Sequence, residues 1–228
     1  MNAVFSQRVM VITGATGALG KLAAHSFAER GASLALLDNH QANLDDLAHA
    51  LNLPESRLLT QVADLRDGDA VRSAAEAVSA RFGRVEALIH LVGGWTGGKT
   101  IPESSAEDLD FMLGQHAWTT FHLFQAFGPH LAANGWGRVM VVSMPLAVHP
   151  VPKMGAYAAG KAAQEALVQT LAEELRESGV TANILHVKSI DVKGTGKGTT
   201  PAEIVASMLY LCSDEAAKIN GAKIPLYG

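Results

Sequence analysis

RVMVITGATGALG, residues 8–20, is the stretch whose reading decides the fold. Val9 to Ile12 form a continuous apolar run, as in a strand covered on both faces. Thr13-Gly14-Ala15-Thr16-Gly17-Ala18-Leu19-Gly20 follows at once, a turn of small residues opening into a helical pattern over 18–30. Further apolar runs recur at 33–37, 58–63, 86–92, 137–143, 180–187 and 222–226. Helical patterns lie between them at 41–50, 67–82, 104–132 (with a break), 155–178 and 201–213. Strand–helix alternation with right-handed crossovers predicts an α/β fold. The expectation is a doubly wound Rossmann fold, with a mostly parallel seven-stranded sheet and helices on both faces.

Length agrees with that reading. A strand, a helix and two connections take roughly 25–30 residues, so seven units would need about 175–210. The chain has 228 residues, 48% of them hydrophobic and 18% charged, and is expected to form a single domain over 1–228. The net charge of −4 gives no basic face for nucleic acid. No apolar run reaches a spanning helix, and Met1 to Arg8 lacks the apolar region of a signal peptide. Cys212 is the only cysteine and sits in an apolar run, so it reads as a buried inert thiol in a cytoplasmic protein. The nine histidines include no HExxH pair, and no metal is expected. The patch 193–200, KGTGKGTT, reads as a mobile loop.

Two groups of residues carry chemistry. In the turn 13–20, backbone N–H groups and a helix N-terminus can approach a pyrophosphate. Asp38 ends the second strand and could accept from both hydroxyls of an adenosine ribose, or simply cap the next helix. A carboxylate there repels a 2′-phosphate, which points to NAD(H). Asp64 ends the third strand, near where an adenine would lie. Beyond the fifth strand, Tyr157 and Lys161 are four apart and share one helix face. A neighbouring ammonium favours phenolate over phenol and would bring the tyrosine toward neutrality as an acid/base.

TGATGALG at 13–20, Asp38, Asp64 and YAAGK at 157–161 together resemble the short-chain dehydrogenase/reductase family, along essentially the whole chain to its IPLYG ending. The resemblance implies hydride transfer between NAD(H) and a small carbonyl or alcohol substrate. Tyr157 would exchange the proton, and Lys161 would hold the ribose and activate Tyr157. It implies cofactor contacts at Gly14, Thr16, Gly17, Leu19, Gly20, Asp38 and Asp64. Further contacts are expected at Leu65, Gly93, Tyr157, Lys161 and Ile190. It also implies a homodimer or homotetramer built on the helices at 115–132 and 155–178.

Several positions depart from the family pattern. Ala18 replaces a glycine, His90-Leu91-Val92-Gly93 replaces Asn-Asn-Ala-Gly, and Val187-Lys188 replaces Pro-Gly. The family's substrate-orienting serine lies thirteen residues before the tyrosine, where this chain has Met144. Either the segment Pro145 to Pro152 carries a one-residue insertion that restores Ser143 to the role, or that hydroxyl is absent. His116 stands where the family has an asparagine that supports the lysine through water, and it could serve as a relay or as a core histidine. The loop Ser189 to Pro201 is short for a lid, which predicts an open pocket.

Gly93 to Gly98 and Gln115 to Thr119 also resemble segments of dihydropteridine reductase, an NADH-dependent member that keeps the Tyr/Lys pair without the usual serine. Trp95 could stack on a planar substrate or merely pack over the cofactor loop. The competing class is a catalytically impaired NAD(H)-binding sensor or subunit, suggested by Met144, His116 and the missing Asn-Asn.

Overall fold

A computed structural model describes residues 4–227. Seven strands form one sheet: β1 (Val9–Thr13), β2 (Ser33–Asp38), β3 (Leu58–Val62), β4 (Ala87–His90), β5 (Gly137–Ser143), β6 (Val180–His186) and β7 (Lys223–Pro225). Their order is β3-β2-β1-β4-β5-β6-β7, and every pairing is parallel. The helices are α1 (Ala18–Glu29), α2 (Gln41–Leu51), α3 (Gly68–Phe82), α4 (Ala106–Leu113), α5 (Thr119–Ala133), α6 (Gly155–Glu174) and α7 (Pro201–Leu211).

Period-two alternation sorts the strand side chains onto two apolar layers. Met10, Ile12, Leu34 and Leu36 pack with Phe27 of α1 and Ile204 and Met208 of α7. Val11, Leu37 and Val141 pack on the other face with Val71 of α3, Phe127 of α5 and Val168 of α6. Each fully buried side chain of this size contributes about 1.5–3 kcal/mol. β1 and β4 are buried along their whole length, which explains their unbroken apolar sequence, whereas the edge strand β3 is only half-buried.

The strand order reverses between β1 and β4, which opens a crevice at their carboxyl ends. The break expected within 104–132 is a π-helical turn, Gly114–Trp118, joining α4 to α5. The loop after β6 carries local bonds that its glycines did not suggest. Asp191 accepts from the Thr195 hydroxyl at 3.1 Å and the Gly196 N–H at 2.6 Å, while Ile190 bridges to Thr199. Cys212 is buried, and burial pushes its thiol up to about 12. Among the described residues no helix is long and apolar enough to cross a membrane.

Candidate functional site

Two adjoining cavities occupy the crevice. One, of about 640 Å³, runs from Gly14, Gly17 and Leu19 past Gly93 and Trp95 to Tyr157, Lys161 and Ile190. The other, of about 340 Å³, holds Asp38, Asp64 and Leu65, and shares Gly14, Gly17 and Gly93 with the first. Gly14 has φ +65°, and a Cβ there would lie 3.1 Å from the Leu91 and Val92 backbone. Only glycine lets the turn press this close to β4. α1 begins after Gly17, has no side-chain cap and carries no acid in its first turn. Its leading N–H groups are therefore free to meet an anion.

Asp38 does not cap α2, whose N-cap is His40. Its carboxylate instead accepts from the Thr16 N–H at 3.0 Å and the Thr16 hydroxyl at 2.8 Å, which ties β2 to the turn and keeps the acid at the second cavity. Thr16 itself lines neither cavity, and its N–H and hydroxyl both go to Asp38. At the far side Arg66 pairs with Asp64 at 2.6 Å, and that hydrogen bond holds the Asp64 carboxyl below its ordinary value. Two linked cavities, an uncapped helix start between them and an acid at the outer one suit a dinucleotide.

At the inner end α6 supplies Tyr157 and Lys161. Its Gly160 lets α4 and the π-helical turn approach, since a Cβ there would lie 2.6 Å from the Met112 carbonyl oxygen and 3.2 Å from His116 Cδ2. This approach sets the His116 ring edge-on to Tyr157, with centroids 5.5 Å apart. His116 Nε2 donates to the Gly94 carbonyl at 3.0 Å, which assigns the proton to that nitrogen. Its Nδ1 then has no hydrogen-bond partner among the described residues. Burial, reinforced by the Lys161 charge, lowers the ring to about 3, so His116 is neutral at physiological pH.

Lys161 Nζ donates to the Val142 carbonyl at 2.8 Å and to Gln164 Oε1 at 3.0 Å. Burial lowers it to about 7, against the pull of Glu165. Tyr157 departs from the expectation that Lys161 would draw it toward neutrality. Burial pushes the phenol above its ordinary value instead, while the lysine head bonds to Val142 and Gln164. Among the described residues nothing hydrogen-bonds the Tyr157 hydroxyl, which is left to a ligand in the cavity.

Ser143 and Met144 both line the cavity, but the serine hydroxyl donates to Glu165 Oε1 at 2.5 Å. The same oxygen accepts from His186 Nε2 at 2.7 Å, and Lys223 Nζ lies 2.8 Å from Oε2. Burial raises the Glu165 carboxyl, yet Lys223, Ser143 and His186 outweigh it and the net shift is downward. Ser143 and Met144 thus share the cavity wall, with the serine proton directed to a buried carboxylate. His90 is likewise enclosed, with Nδ1 2.8 Å from the Thr13 hydroxyl and Nε2 3.3 Å from that of Thr119. Burial drives it to about 3. Sequence reasoning missed Gln164, Glu165, His186 and Lys223; the available signal was that Gln164 and Glu165 follow Lys161 by three and four on α6 and so share its face.

The model of the short chain dehydrogenase family matches residues 8–200. The chain is 29% identical to D-threitol dehydrogenase of Mycolicibacterium smegmatis, over 97% of this chain and 92% of that one. It is 25% identical to the 3-oxoacyl-(acyl-carrier-protein) reductase of Thermotoga maritima, over 97% and 96%. A solved short chain dehydrogenase from Bacillus anthracis superposes with TM-score 0.89 at 27% identity, covering 97% of this chain and 95% of that one. The chain is an oxidoreductase, and it belongs to the short chain dehydrogenase family.

Proposed function

We propose that this chain catalyses NAD(H)-dependent hydride transfer to or from a small carbonyl or alcohol, with Tyr157 as proton donor and acceptor. The observation that carries the reading is one cavity holding Gly14 and Gly17 of the turn at one end and the unengaged Tyr157 hydroxyl at the other. The bound nicotinamide would supply the hydride. Tyr157 would give its proton to the carbonyl oxygen and recover it from solvent, while Lys161, held by Val142 and Gln164, would bind the cofactor ribose. Asp38 supports NAD(H) over NADP(H), since a 2′-phosphate would bring like charge to its carboxylate.

We also take the chain to be one domain, acting in the cytoplasm as a homodimer or homotetramer. Exposed Phe111, Trp118 and Phe121 along α4 and α5 favour such an assembly. A second reading, an NAD(H)-binding sensor, is favoured by the commitment of Ser143 to Glu165 and by a thioether at the next position. Reduction of a ketone by NADH deuterated at the transferable position decides between them. Deuterium on the product carbinol carbon supports catalysis; tight NADH binding without transfer to any ketone supports the sensor.

A further inference from the structure

The polar side chains that line the reacting cavity are almost all occupied within the protein. Ser143 donates to Glu165, and Ser189 Oγ donates to the Lys197 carbonyl at 3.0 Å. Lys161 is held by Val142 and Gln164, and Lys188 stands over the Tyr227 ring at 4.8 Å. His116 spends its one N–H on Gly94. Tyr157 alone keeps a hydroxyl proton for a substrate oxygen.

Much of the remaining lining is large, soft and apolar. Met144, Met154, Ile190, Val192 and Trp95 form it, and Trp95 is 60% exposed. Trp95 Cζ2 and Met154 Sδ both lie 3.2 Å from where a Cβ on Gly97 would stand, so an indole ring and a thioether flank that glycine. Indole and thioether are polarizable partners for an aromatic face. Against the apolar side chains of this wall a polyol would find few partners for its hydroxyls, His116 Nδ1 being an open acceptor.

Building on the oxidoreductase reading above, we infer that the substrate is a planar aromatic carbonyl compound, an aryl ketone or a quinone, stacked on Trp95. In the reductive direction a dihydronicotinamide hydride carries two electrons to the substrate while Tyr157 gives one proton to its oxygen. A ketone becomes the secondary alcohol and a quinone the hydroquinone. The tyrosine recovers its proton from solvent.

The test uses the full chain with NADH and four carbonyl compounds: 2-acetylnaphthalene, 1,4-naphthoquinone (corrected for uncatalysed reduction), cyclohexanone and erythrulose. The better planar substrate should exceed both others at least tenfold in kcat/KM, and its identity separates aryl ketone from quinone. Trp95→Ala should reduce that ratio at least fivefold. Equal or greater turnover of erythrulose or cyclohexanone, or a ratio that ignores Trp95→Ala, overturns the inference while leaving the oxidoreductase reading intact.

Silence with all four would count against the oxidoreductase reading instead, and binding then decides the inference. Calorimetric titration of 2-acetylnaphthalene into protein saturated with NAD⁺ cannot turn over. It should give a Kd at least tenfold below that of cyclohexanone and weaken at least fivefold in Trp95→Ala. Comparable affinities for the two ketones would overturn it.

Discussion

Ser143 and Glu165 share a 2.5 Å hydrogen bond that joins the end of β5 to the buried face of α6. The bond occupies the serine proton, while Ser143 and Met144 both remain on the cavity wall. Replacing Ser143 with alanine should therefore change kcat less than threefold, yet lower stability by about 1–3 kcal/mol, because a buried carboxylate loses a donor. Met144→Ser should do the opposite, raising kcat for an aliphatic ketone by roughly tenfold through a new donor to the developing alkoxide. Steady-state kinetics and thermal melts of the two variants check both statements. A collapse of kcat in Ser143→Ala would return that serine to the reaction.

Lys161 is lowered to about 7 by burial, and Glu165 resists that shift. An ionisation near neutrality should therefore appear in the pH profile of kcat, and Glu165→Gln should move it to lower pH. The sign for stability is also fixed. An unfolded lysine stays protonated up to its ordinary value of about 10.5. The folded protein thus carries the burden of this group fully below about 7 and sheds it as pH rises toward 10.5. Glu165 behaves in the reverse way: its depressed carboxyl contributes stability above about 4.5 that is lost as pH falls through the folded value. Kinetics and chemical denaturation across pH 5–9 read the Lys161 terms.

Asp38 meets the Thr16 N–H and hydroxyl and also lines the outer cavity. Asp38→Asn should lower the preference for NADH over NADPH by roughly tenfold or more, since one like-charge repulsion is removed. The weakened contact to Thr16 should raise the Kd for NADH modestly at the same time. Fluorescence titration with both cofactors reads the two effects separately. A wild-type preference for NADPH would contradict the role given to this carboxylate.

Gly160→Ala would drive a Cβ to 2.6 Å from the Met112 carbonyl oxygen. Backbone cannot yield as a side-chain tip can, so α6 must move from α4, at about 1–3 kcal/mol. The melting temperature should fall by about 2–4 °C for each kcal/mol in a chain of this size. Because His116 lies 3.2 Å from the same point, turnover should fall as well. A variant as stable as the parent would show that the two helices are not in tight contact.

The sheet was legible because the strands are unbroken apolar runs bounded by glycine and polar residues; β1 through β6 fall within about two residues of the expected bounds. The turn at 13–20 and the pair at 157 and 161 were legible because each depends on neighbours within one helix turn or one strand–helix junction. The Ser143, Glu165, His186 and Lys223 cluster was not, since four separate elements supply it and nothing local marks Glu165 as buried. The π-helical turn at Gly114–Trp118 was visible only as a break, because no proline marks it. The loop at 193–200 was legible only in part. Glycine content suggested only a loop, whereas one acid, Asp191, accepts from Thr195 and Gly196 within it.

The central claim is that the Tyr157 hydroxyl moves the proton that accompanies hydride transfer. Single-turnover oxidation of NADH by Tyr157→Phe, alongside fluorescence titration of NADH, tests it most directly. The account predicts a loss of at least about a thousandfold in rate, with NADH affinity retained within about threefold, since removing the group that both gives and stabilises the proton costs several kcal/mol in the transition state. Turnover at the parent rate, with the cofactor still bound, would contradict it.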